Sequence, residues 1–293
     1  EGDTVGVLQA LNKRDGLFTD WDEWIVQALG AQCGVALQRQ LLLNEYEEKQ
    51  RIQRDLSVAR TIQQGLLPKE SPKLDGFDIH GWNRPAEETG GDFYDFQPLP
   101  DGRWAITVAD VTGHGIGPAL IVAECRAFLR ATLPLSPDLE QGVTQANQLL
   151  SLDLPDDRFV TAFVGLLAPE KNELLYTSAG HGPLLWYCAA EDRFEELPTH
   201  GLPLGVAPDL PYDESLLIKF APGDILLLFT DGFFEWENSS DEAFGTERIY
   251  EEVRKNRDGS AKEIVDAVYQ RLQDFAGDTP QLDDLTAVLV KKT

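Results

Sequence analysis

The sequence predicts an α+β protein in which helices lie over antiparallel sheets, preceded by one long N-terminal helix. Helical periodicity continues from about residue 19 to Pro68 without an intervening proline. After Pro68, short β-rich runs alternate with glycine-containing turns, and the helical segments come in pairs. Runs of strands together with paired helices are typical of α+β layers.

The N-terminal segment begins with a predicted strand at residues 5–11. Thr19 then offers an N-cap, and Asp22, three residues on, provides the acid of a capping box, which predicts the start of the helix. Residues 44–55 are rich in Glu, Lys, Gln and Arg, which indicates a solvated connecting rod. Further on, apolar residues recur at helical spacing, and they fit a helix packed on its own domain as well as a dimeric coiled coil. These residues are Ile52, Leu56, Ala59 and Leu66.

The larger part of the chain, after Pro68, is predicted to contain six strands and four helices. The predicted strands cover residues 104–108, 159–167, 174–178, 184–188, 225–229 and 285–290. The predicted helices cover residues 118–133, 139–150, 247–255 and 261–275. We find no internal repeat and no low-complexity segment.

The composition of the chain limits which binding partners and which cellular compartment we expect. The chain has 50 acidic and 25 basic residues, and its net charge of −25 repels nucleic acid and anionic lipid, so we expect neither as a partner. The longest purely aliphatic and aromatic run, residues 225–229, is too short to cross a bilayer. Three cysteines without zinc-ligand spacing indicate a reducing cytoplasm. The chain contains no methionine, and so no initiator, which predicts a fragment of a longer protein.

Acidic residues stand beside glycine at the ends of apolar runs in four places. They lie at residues 90–95, at Asp110 after an apolar run, at Asp231, and at residues 283–284 before the last run. A sheet fixes an acid at a strand end, and an adjacent glycine lets a ligand approach closely. Singly, each motif fits an ordinary turn equally well. Together, carboxylates without His or Cys suit Mg²⁺ or Mn²⁺, and such cations would let an acidic site hold a phosphate dianion.

These motifs, taken in order, resemble the SpoIIE/RsbU branch of the metal-dependent (PPM, type 2C) serine/threonine phosphatases. The resemblance covers about residues 60–290 in unbroken order. The motifs that carry it are Gly90-Gly91-Asp92-Phe93-Tyr94-Asp95, Asp110-Val111-Thr112-Gly113-His114-Gly115, Ala179-Gly180-His181-Gly182-Pro183, Thr230-Asp231-Gly232 with Glu235, and Asp283-Asp284-Leu285-Thr286.

The resemblance implies a four-layer α-β-β-α sandwich of two antiparallel sheets with two Mn²⁺ or Mg²⁺ ions at one edge. It implies that Asp110 bridges both ions and that the Val111 carbonyl binds one of them. Asp231 and Asp283 would complete the other ion, and Asp92 would act mostly through metal-bound water. These four aspartates are therefore the predicted catalytic residues.

The acid that opens the last strand has two candidates. Asp283 and Asp284 both fit the position of the ligand, so both are candidate metal ligands. The wider family usually has Asp-Asn at this point, which favours Asp283. The choice between the two stays open at the level of sequence.

Two features of the eukaryotic relatives have no clear match. Those relatives place a proposed general-acid His two residues after the bridging Asp, where this chain has Thr112; His114 lies four residues on, and capping of the turn explains it equally well. Their phosphate-binding Arg is not matched either, because the spacing of Arg84 from Asp92 does not establish that role. We expect His181 to hold a turn near the site.

The first 45 residues resemble the end of a GAF sensor domain. The predicted organisation is a GAF-like remnant at 1–45, a helical linker that also fits a coiled coil at 46–68, and a phosphatase domain at 69–293. The resemblance implies hydrolysis of phosphoserine or phosphothreonine on a protein such as a STAS-domain anti-sigma-factor antagonist, under sensor control, in a homodimer formed through the linker. The alternatives are a catalytically silent relay module and a dimerisation scaffold, and retention of all the matching acids argues against silence.

Overall fold

The structure, a computed structural model, describes residues 4, 6–113, 115–155, 157–212 and 214–293. The chain divides into two compact units, Glu1–Val58 and Ala59–Thr293. This boundary falls within the predicted linker at 46–68. In the described part of the chain, no helix has both the length and the apolar character that crossing a membrane requires.

The long N-terminal helix, α1, covers Asp20–Leu66. Its start confirms the capping prediction, because the Asp22 carboxylate accepts hydrogen bonds of 2.7 Å from both the backbone N–H and the hydroxyl of Thr19. The strand predicted at 5–11 is wrong for residues 6–11, which form no strand; residue 5 lies outside the described residues. A strand needs a hydrogen-bonded neighbour, and no described strand pairs with this segment.

Two five-stranded sheets form the centre of the unit Ala59–Thr293. One sheet has the order β1-β10-β9-β6-β7 and the other the order β2-β3-β4-β5-β8. Every pairing between neighbouring strands is antiparallel. The strands are β1 Phe77–Arg84, β2 Asp92–Pro98, β3 Trp104–Val111, β4 Val160–Ala168, β5 Glu173–Ala179, β6 Leu184–Cys188, β7 Arg193–Leu197, β8 Leu216–Lys219, β9 Ile225–Phe229 and β10 Leu285–Lys292.

Helices cover the outer face of each sheet, which confirms the four-layer sandwich. The helices are α2 Ile116–Thr132, α3 Leu139–Asp153, α4 Gly232–Glu235, α5 Gly245–Asn256 and α6 Ala261–Ala276. Apolar residues of α2 and α3 share one core with β3 and β4, and those of α5 and α6 share another with β9 and β10. A third core, which includes Phe163, Leu226 and Val288, fills the space between the sheets. Because three cores pin both sheets on both faces, the strand ends are fixed in position.

Candidate metal centre

Two of the predicted site residues face each other across neighbouring strands. Asp92 opens β2 and Asp110 lies near the end of β3, and the two are direct partners in the antiparallel register. The side chain of Asp92 is buried and accepts a 2.7 Å hydrogen bond from the Thr230 hydroxyl. Thr230 is held in turn, because its hydroxyl oxygen accepts the backbone N–H of Thr286 at 2.9 Å. Two acids that face each other in this way repel unless a cation or a proton lies between them.

Gly91 allows the backbone after Asp110 to approach the start of β2. Its carbonyl accepts the backbone N–H of Val111 at 3.0 Å. A Cβ atom on Gly91 would lie 2.6 Å from the Val111 carbonyl oxygen and 3.5 Å from Oδ1 of Asp110. The absence of a side chain therefore keeps open the space shared by the predicted carbonyl ligand and the predicted bridging carboxylate.

Asp231 lies two residues after the end of β9, where it caps the short helix α4. Its carboxylate accepts the backbone N–H of Gly232 at 2.9 Å. The pKa of Asp231 is raised by burial and by the nearby negative charges of Asp283 and Glu235. Residues from β9 and from the start of β10 therefore meet at the same edge, because these two strands are neighbours in one sheet.

The adjacent acids Asp283 and Asp284 have different surroundings. Asp284 is buried, and its carboxylate accepts the backbone N–H groups of Ala86 at 2.7 Å and Gly91 at 2.6 Å. A Cβ atom on Gly90 would lie 2.2 Å from Oδ2 of Asp284, so this carboxylate is packed against the loop before β2. Asp283 is exposed, and its charge acts on Asp110 and Asp231. Asp284 therefore serves as an acceptor for the backbone, while the carboxylate of Asp283 is the more accessible of the two.

The electrostatics of this edge are those of carboxylates without a counter-charge. Burial, followed by the negative charges of Asp231, Asp283 and Asp284, raises the pKa of Asp110 from 3.8 to about 7. Burial, followed by the charges of Asp110 and Asp284, raises the pKa of Asp92 well above its usual range. Each shift means that the ionised form is disfavoured as the site stands, and a divalent cation would reverse this preference.

The donor set fits a hard cation that keeps part of its water shell. Among the described residues, no three or more His, Cys, Asp or Glu side chains come together closely enough to hold a metal ion by themselves. Mg²⁺ does not require such a group, because it commonly binds one or two carboxylates and retains several water molecules. Carboxylate oxygens from Asp92, Asp110, Asp231 and Asp283, with the Val111 carbonyl, are ligands that suit Mg²⁺ or Mn²⁺.

The sequence analysis gave Gln63 no role in the site, yet Gln63 contacts the loop before β2 from the end of α1. Its side-chain amide is buried, donates to the Gly90 carbonyl and accepts the Gly90 N–H at 3.0 Å. Both polar functions of the amide are thus satisfied by the residue next to Gly91. Gln63 lies in a helix rich in glutamine, so composition offers no signal that separates it from its neighbours.

Other candidate residues lie around this edge. The guanidinium of Arg84 donates to the Tyr269 hydroxyl. The Nη1 atom of Arg158 donates to the carbonyl of Thr112, two residues after Asp110. His181 is buried, with its Nδ1 atom 3.2 Å from the Thr161 hydroxyl, and burial lowers its pKa from 6.5 to about 4. The interpretation of His114 as a turn cap lies outside the described residues.

Comparison with solved structures identifies the class of fold. The SiaA-PP2C domain of Pseudomonas aeruginosa matches with a TM-score of 0.71 at 23% identity, over 83% of this chain and 97% of that chain. RsbX, solved in complex with magnesium, matches with a TM-score of 0.56 at 18% identity, over 76% and 99%. The architecture is therefore that of a PP2C-type phosphatase domain.

Comparison of sequences gives the family. The family described as Stage II sporulation protein E (SpoIIE) matches residues 100–293. The phosphoserine phosphatase RsbU of Bacillus subtilis (strain 168) is 30% identical over 257 residues, which cover 83% of this chain and 72% of RsbU. The chain belongs to the SpoIIE family of PP2C-type phosphatases. Two further curated relatives are matched over 41% and 45% of their own length, so the chain spans less than half of each.

Proposed function

We propose that this chain hydrolyses phosphoserine or phosphothreonine on a regulatory protein with the help of two Mn²⁺ or Mg²⁺ ions. The observation that carries the proposal is the set of uncompensated carboxylates at one edge, where like charges and burial raise the pKa of Asp110 to about 7. Divalent cations bound there would supply a water of lowered pKa and neutralise charge on the phosphoryl group.

The residues of the chain have separate tasks in this proposal. Asp110, paired in register with Asp92, would bridge the two ions, and the Val111 carbonyl would bind one of them. Asp231 and Asp283 would hold the other ion. Asp92 would act through water, in agreement with its burial and its hydrogen bond from Thr230. Asp284 would fix the loop that contains Gly91 by accepting its N–H.

The proposed substrate is a STAS-type anti-sigma-factor antagonist that carries a phosphorylated serine or threonine. Support comes from similarity to RsbU, a phosphoserine phosphatase. An acidic chain with a net charge of −25 needs bound cations before it can accept a phosphate dianion, which makes turnover depend on metal.

The proposal is tested by hydrolysis of p-nitrophenyl phosphate with Mn²⁺, with Mg²⁺ and with EDTA. We expect metal-dependent turnover that EDTA abolishes and that Asp231→Asn abolishes too. Asp278→Asn is the matched control, because Asp278 is an exposed acid on the same unit that no part of the proposal uses. Absence of turnover together with absence of metal binding in calorimetry would contradict the proposal and favour a silent relay module. Metal binding without turnover would indicate an inactive state of the enzyme.

We also propose that an N-terminal sensor controls the activity through α1. Residues 1–45 would be the end of a GAF-like domain and 46–68 the linker. The support is that α1 is continuous from Asp20 to Leu66 and that Gln63, in its last turn, binds both backbone groups of Gly90. A shift or rotation of α1 would therefore act on the loop that carries Gly91 and Asp92.

A substitution in the apolar stripe tests this control. Leu56→Asp should change the phosphatase rate and the dimer content together, as measured by turnover and by sedimentation velocity. A lost dimer with an unchanged rate would contradict the coupling. Gln63→Ala should lower turnover without changing the dimer, since Gln63 contacts Gly90 within the phosphatase unit.

A further inference from the structure

The proposed reaction needs a positively charged side chain that binds the phosphate, in addition to the carboxylates that would bind the metal ions. Burial is the largest cause of the raised pKa values of Asp92, Asp110 and Asp231, and the charges that raise them further belong to neighbouring carboxylates. A phosphate monoester carries a dianion, and its oxygens that point away from bound cations need donors from the protein. Arginine suits this task, because its planar guanidinium matches two phosphate oxygens at once.

Arg158, which lies two residues before β4, places its guanidinium on the loop after Asp110. Its Nη1 atom donates to the Thr112 carbonyl. Gly113 has φ of +89°, and a Cβ atom on this residue would lie 2.1 Å from Nη1 and 3.2 Å from Cζ of Arg158. The guanidinium therefore rests directly against the backbone of Gly113, in a position that a side chain there would occupy.

The same loop contacts the carboxylate edge on its other side. A Cβ atom on Gly91 would lie 2.6 Å from the carbonyl oxygen of Val111 and 3.2 Å from that of Gly113. The segment of Asp110 to Gly113 thus has the candidate metal ligands at one end and the guanidinium at the other. Gly113 is therefore adjacent both to Gly91, at the start of β2, and to the guanidinium of Arg158.

Further hydrogen bonds fix the position of Arg158 relative to this loop. The backbone N–H of Thr112 donates to the Phe159 carbonyl at 3.1 Å. The backbone N–H of Phe159 donates to the Thr112 hydroxyl at 3.2 Å. The residue after Arg158 is therefore tied to the residue before Gly113, so that the guanidinium and the loop are held together.

Most of the donor capacity of Arg158 is unused. A guanidinium has five N–H donors, and within the part of the chain that the structure describes, Arg158 donates only to the Thr112 carbonyl. Other arginines around β2 are already engaged. Arg84 donates to Tyr269, while Arg126 and Arg130 contact Asp95.

We propose that Arg158 binds the phosphoryl oxygens of the substrate, a phosphate monoester, next to the carboxylate edge. This inference rests on the proposed function and adds a substrate-binding residue to it. The role is electrostatic, because an arginine stays protonated throughout the working pH range and cannot serve as a general acid. Arg158 thus offers the phosphate contact that the spacing of Arg84 does not establish.

The test measures phosphate affinity separately from turnover. With Mn²⁺ present, Arg158→Ala should raise both the inhibition constant of inorganic phosphate and the KM for p-nitrophenyl phosphate. We expect each to rise by about 10- to 100-fold, the range expected for loss of a charged hydrogen bond. Arg158→Lys should recover part of the lost phosphate affinity, since it restores the positive charge but not the planar guanidinium that contacts two phosphate oxygens. The Mn²⁺ concentration for half-maximal activity should stay within about twofold of wild type, because the substitution removes a phosphate contact and no proposed metal ligand.

Thr112→Val provides the matched control for a merely structural role. It removes the hydroxyl that accepts the Phe159 N–H, and so loosens the same loop, but it keeps the guanidinium. We expect its inhibition constant for phosphate to change less than threefold, within the roughly 0.6 kcal/mol typical of a modest hydrogen bond. An equal loss of phosphate affinity in Thr112→Val and Arg158→Ala would overturn the proposal. So would an unchanged inhibition constant in Arg158→Ala.

Calorimetry separates failure of this inference from failure of the proposed function. Inorganic phosphate is titrated into Mn²⁺-loaded wild type and into Mn²⁺-loaded Arg158→Ala. Weaker binding to the variant supports the inference even if the wild type shows no turnover, because turnover tests only the proposed function. Equal binding to both proteins would overturn the inference whatever the turnover.

Discussion

Strand β2 carries two buried aspartates, three residues apart, with opposite surroundings. Asp95 contacts two arginines of α2, with Oδ1 2.8 Å from Nη2 of Arg130 and Oδ2 3.3 Å from Nε of Arg126. Asp92 faces Asp110 across the sheet, and the charged groups that act on it are Asp110 and Asp284. Asp95, in the middle of the strand, therefore holds a compensated charge, and Asp92, at the start of the strand, an uncompensated one.

The difference separates an acid whose charge is compensated within the protein from one whose charge is not. A buried carboxylate with two arginines needs nothing further, so Asp95 holds α2 against the sheet that also carries Asp92 and Asp110. A buried carboxylate beside other carboxylates is costly unless something else neutralises it. We therefore propose that a cation binds at the uncompensated carboxylates, while the compensated Asp95 fixes the elements that surround them.

The largest expected effect is on turnover, at the uncompensated carboxylates of Asp92 and Asp110. Asp110→Asn should lower kcat/KM for p-nitrophenyl phosphate by on the order of 10²–10³-fold or more, because it removes the carboxylate proposed to bridge the ions. The folded protein should persist, as judged by circular dichroism. Asp95→Asn should keep most of its turnover per folded molecule. Similar losses of turnover in the two variants would remove the distinction between the compensated Asp95 and the uncompensated pair of Asp92 and Asp110.

The compensated aspartate, Asp95, should contribute most to the stability of the fold. Asp95→Asn leaves Arg126 and Arg130 without their carboxylate, so we expect the free energy of unfolding in urea to fall by about 3 kcal/mol. Asp101→Asn, which breaks the more exposed contact with Arg103, should cost less than about 1 kcal/mol. Equal losses in the two variants would contradict the account of Asp95.

The uncompensated carboxylates of Asp92 and Asp110 should make the stability of the metal-free protein depend on pH. The pKa of Asp110 is raised to about 7 in the folded protein from 3.8. The folded state therefore binds more protons than the unfolded state between these values, and stability falls as pH rises through this window. In EDTA we expect a lower Tm at pH 8 than at pH 5, and Mn²⁺ should raise Tm by more at pH 8.

Two variants check the cause of this pH dependence. Asp110→Asn should reduce the fall in Tm between pH 5 and pH 8, while the exposed control Asp278→Asn should reproduce the wild type. A metal-free wild type whose Tm is the same or higher at pH 8 would contradict the proposed charge repulsion.

The smallest expected effect comes from His181, whose pKa is lowered by burial to about 4. Between pH 6.5 and 4 the unfolded state binds a proton that the folded state does not, so this residue lowers stability as pH falls. Compared with His181→Asn, the wild type should lose up to about 2 kcal/mol more between pH 6.5 and 5 in urea denaturation. Equal losses in the two proteins would show that the buried imidazole does not limit acid stability.

The fold was predictable where apolar patterning is strong. The strands at 184–188 and 225–229 have the predicted bounds, and α2, α3, α5 and α6 begin and end within three residues of the predicted bounds, while the short α4 was not predicted. The sequence did not indicate β1, β2, β7 or β8, which are the four edge strands of the two sheets. Polar residues interrupt the apolar ones in β1 and β2, the residues Arg-Phe-Glu-Glu-Leu of β7 are largely charged, and β8 is short, so none of the four has a strong apolar pattern.

The proposed site follows from acids at strand ends, while the contacts that distinguish these acids could not be predicted from the sequence. Asp283 and Asp284 are neighbours in sequence, and only the fold shows that Asp284 accepts N–H groups from Ala86 and Gly91, about two hundred residues away. Gln63 and Arg158 likewise depend on contacts between distant segments. Local patterns specify which residues end a strand, and the three-dimensional packing decides which atoms those residues meet.

Binding of Mn²⁺ by the uncompensated carboxylates tests the central claim most directly. Calorimetric titration at pH 7 should show Mn²⁺ binding to wild type with release of protons, because carboxylates whose pKa is raised must ionise to bind the cation. Repetition in buffers of different ionisation enthalpy counts those protons, and Asp110→Asn should lose both the binding and the release. Wild type that binds no Mn²⁺, or Asp110→Asn that binds it equally well, would contradict the account.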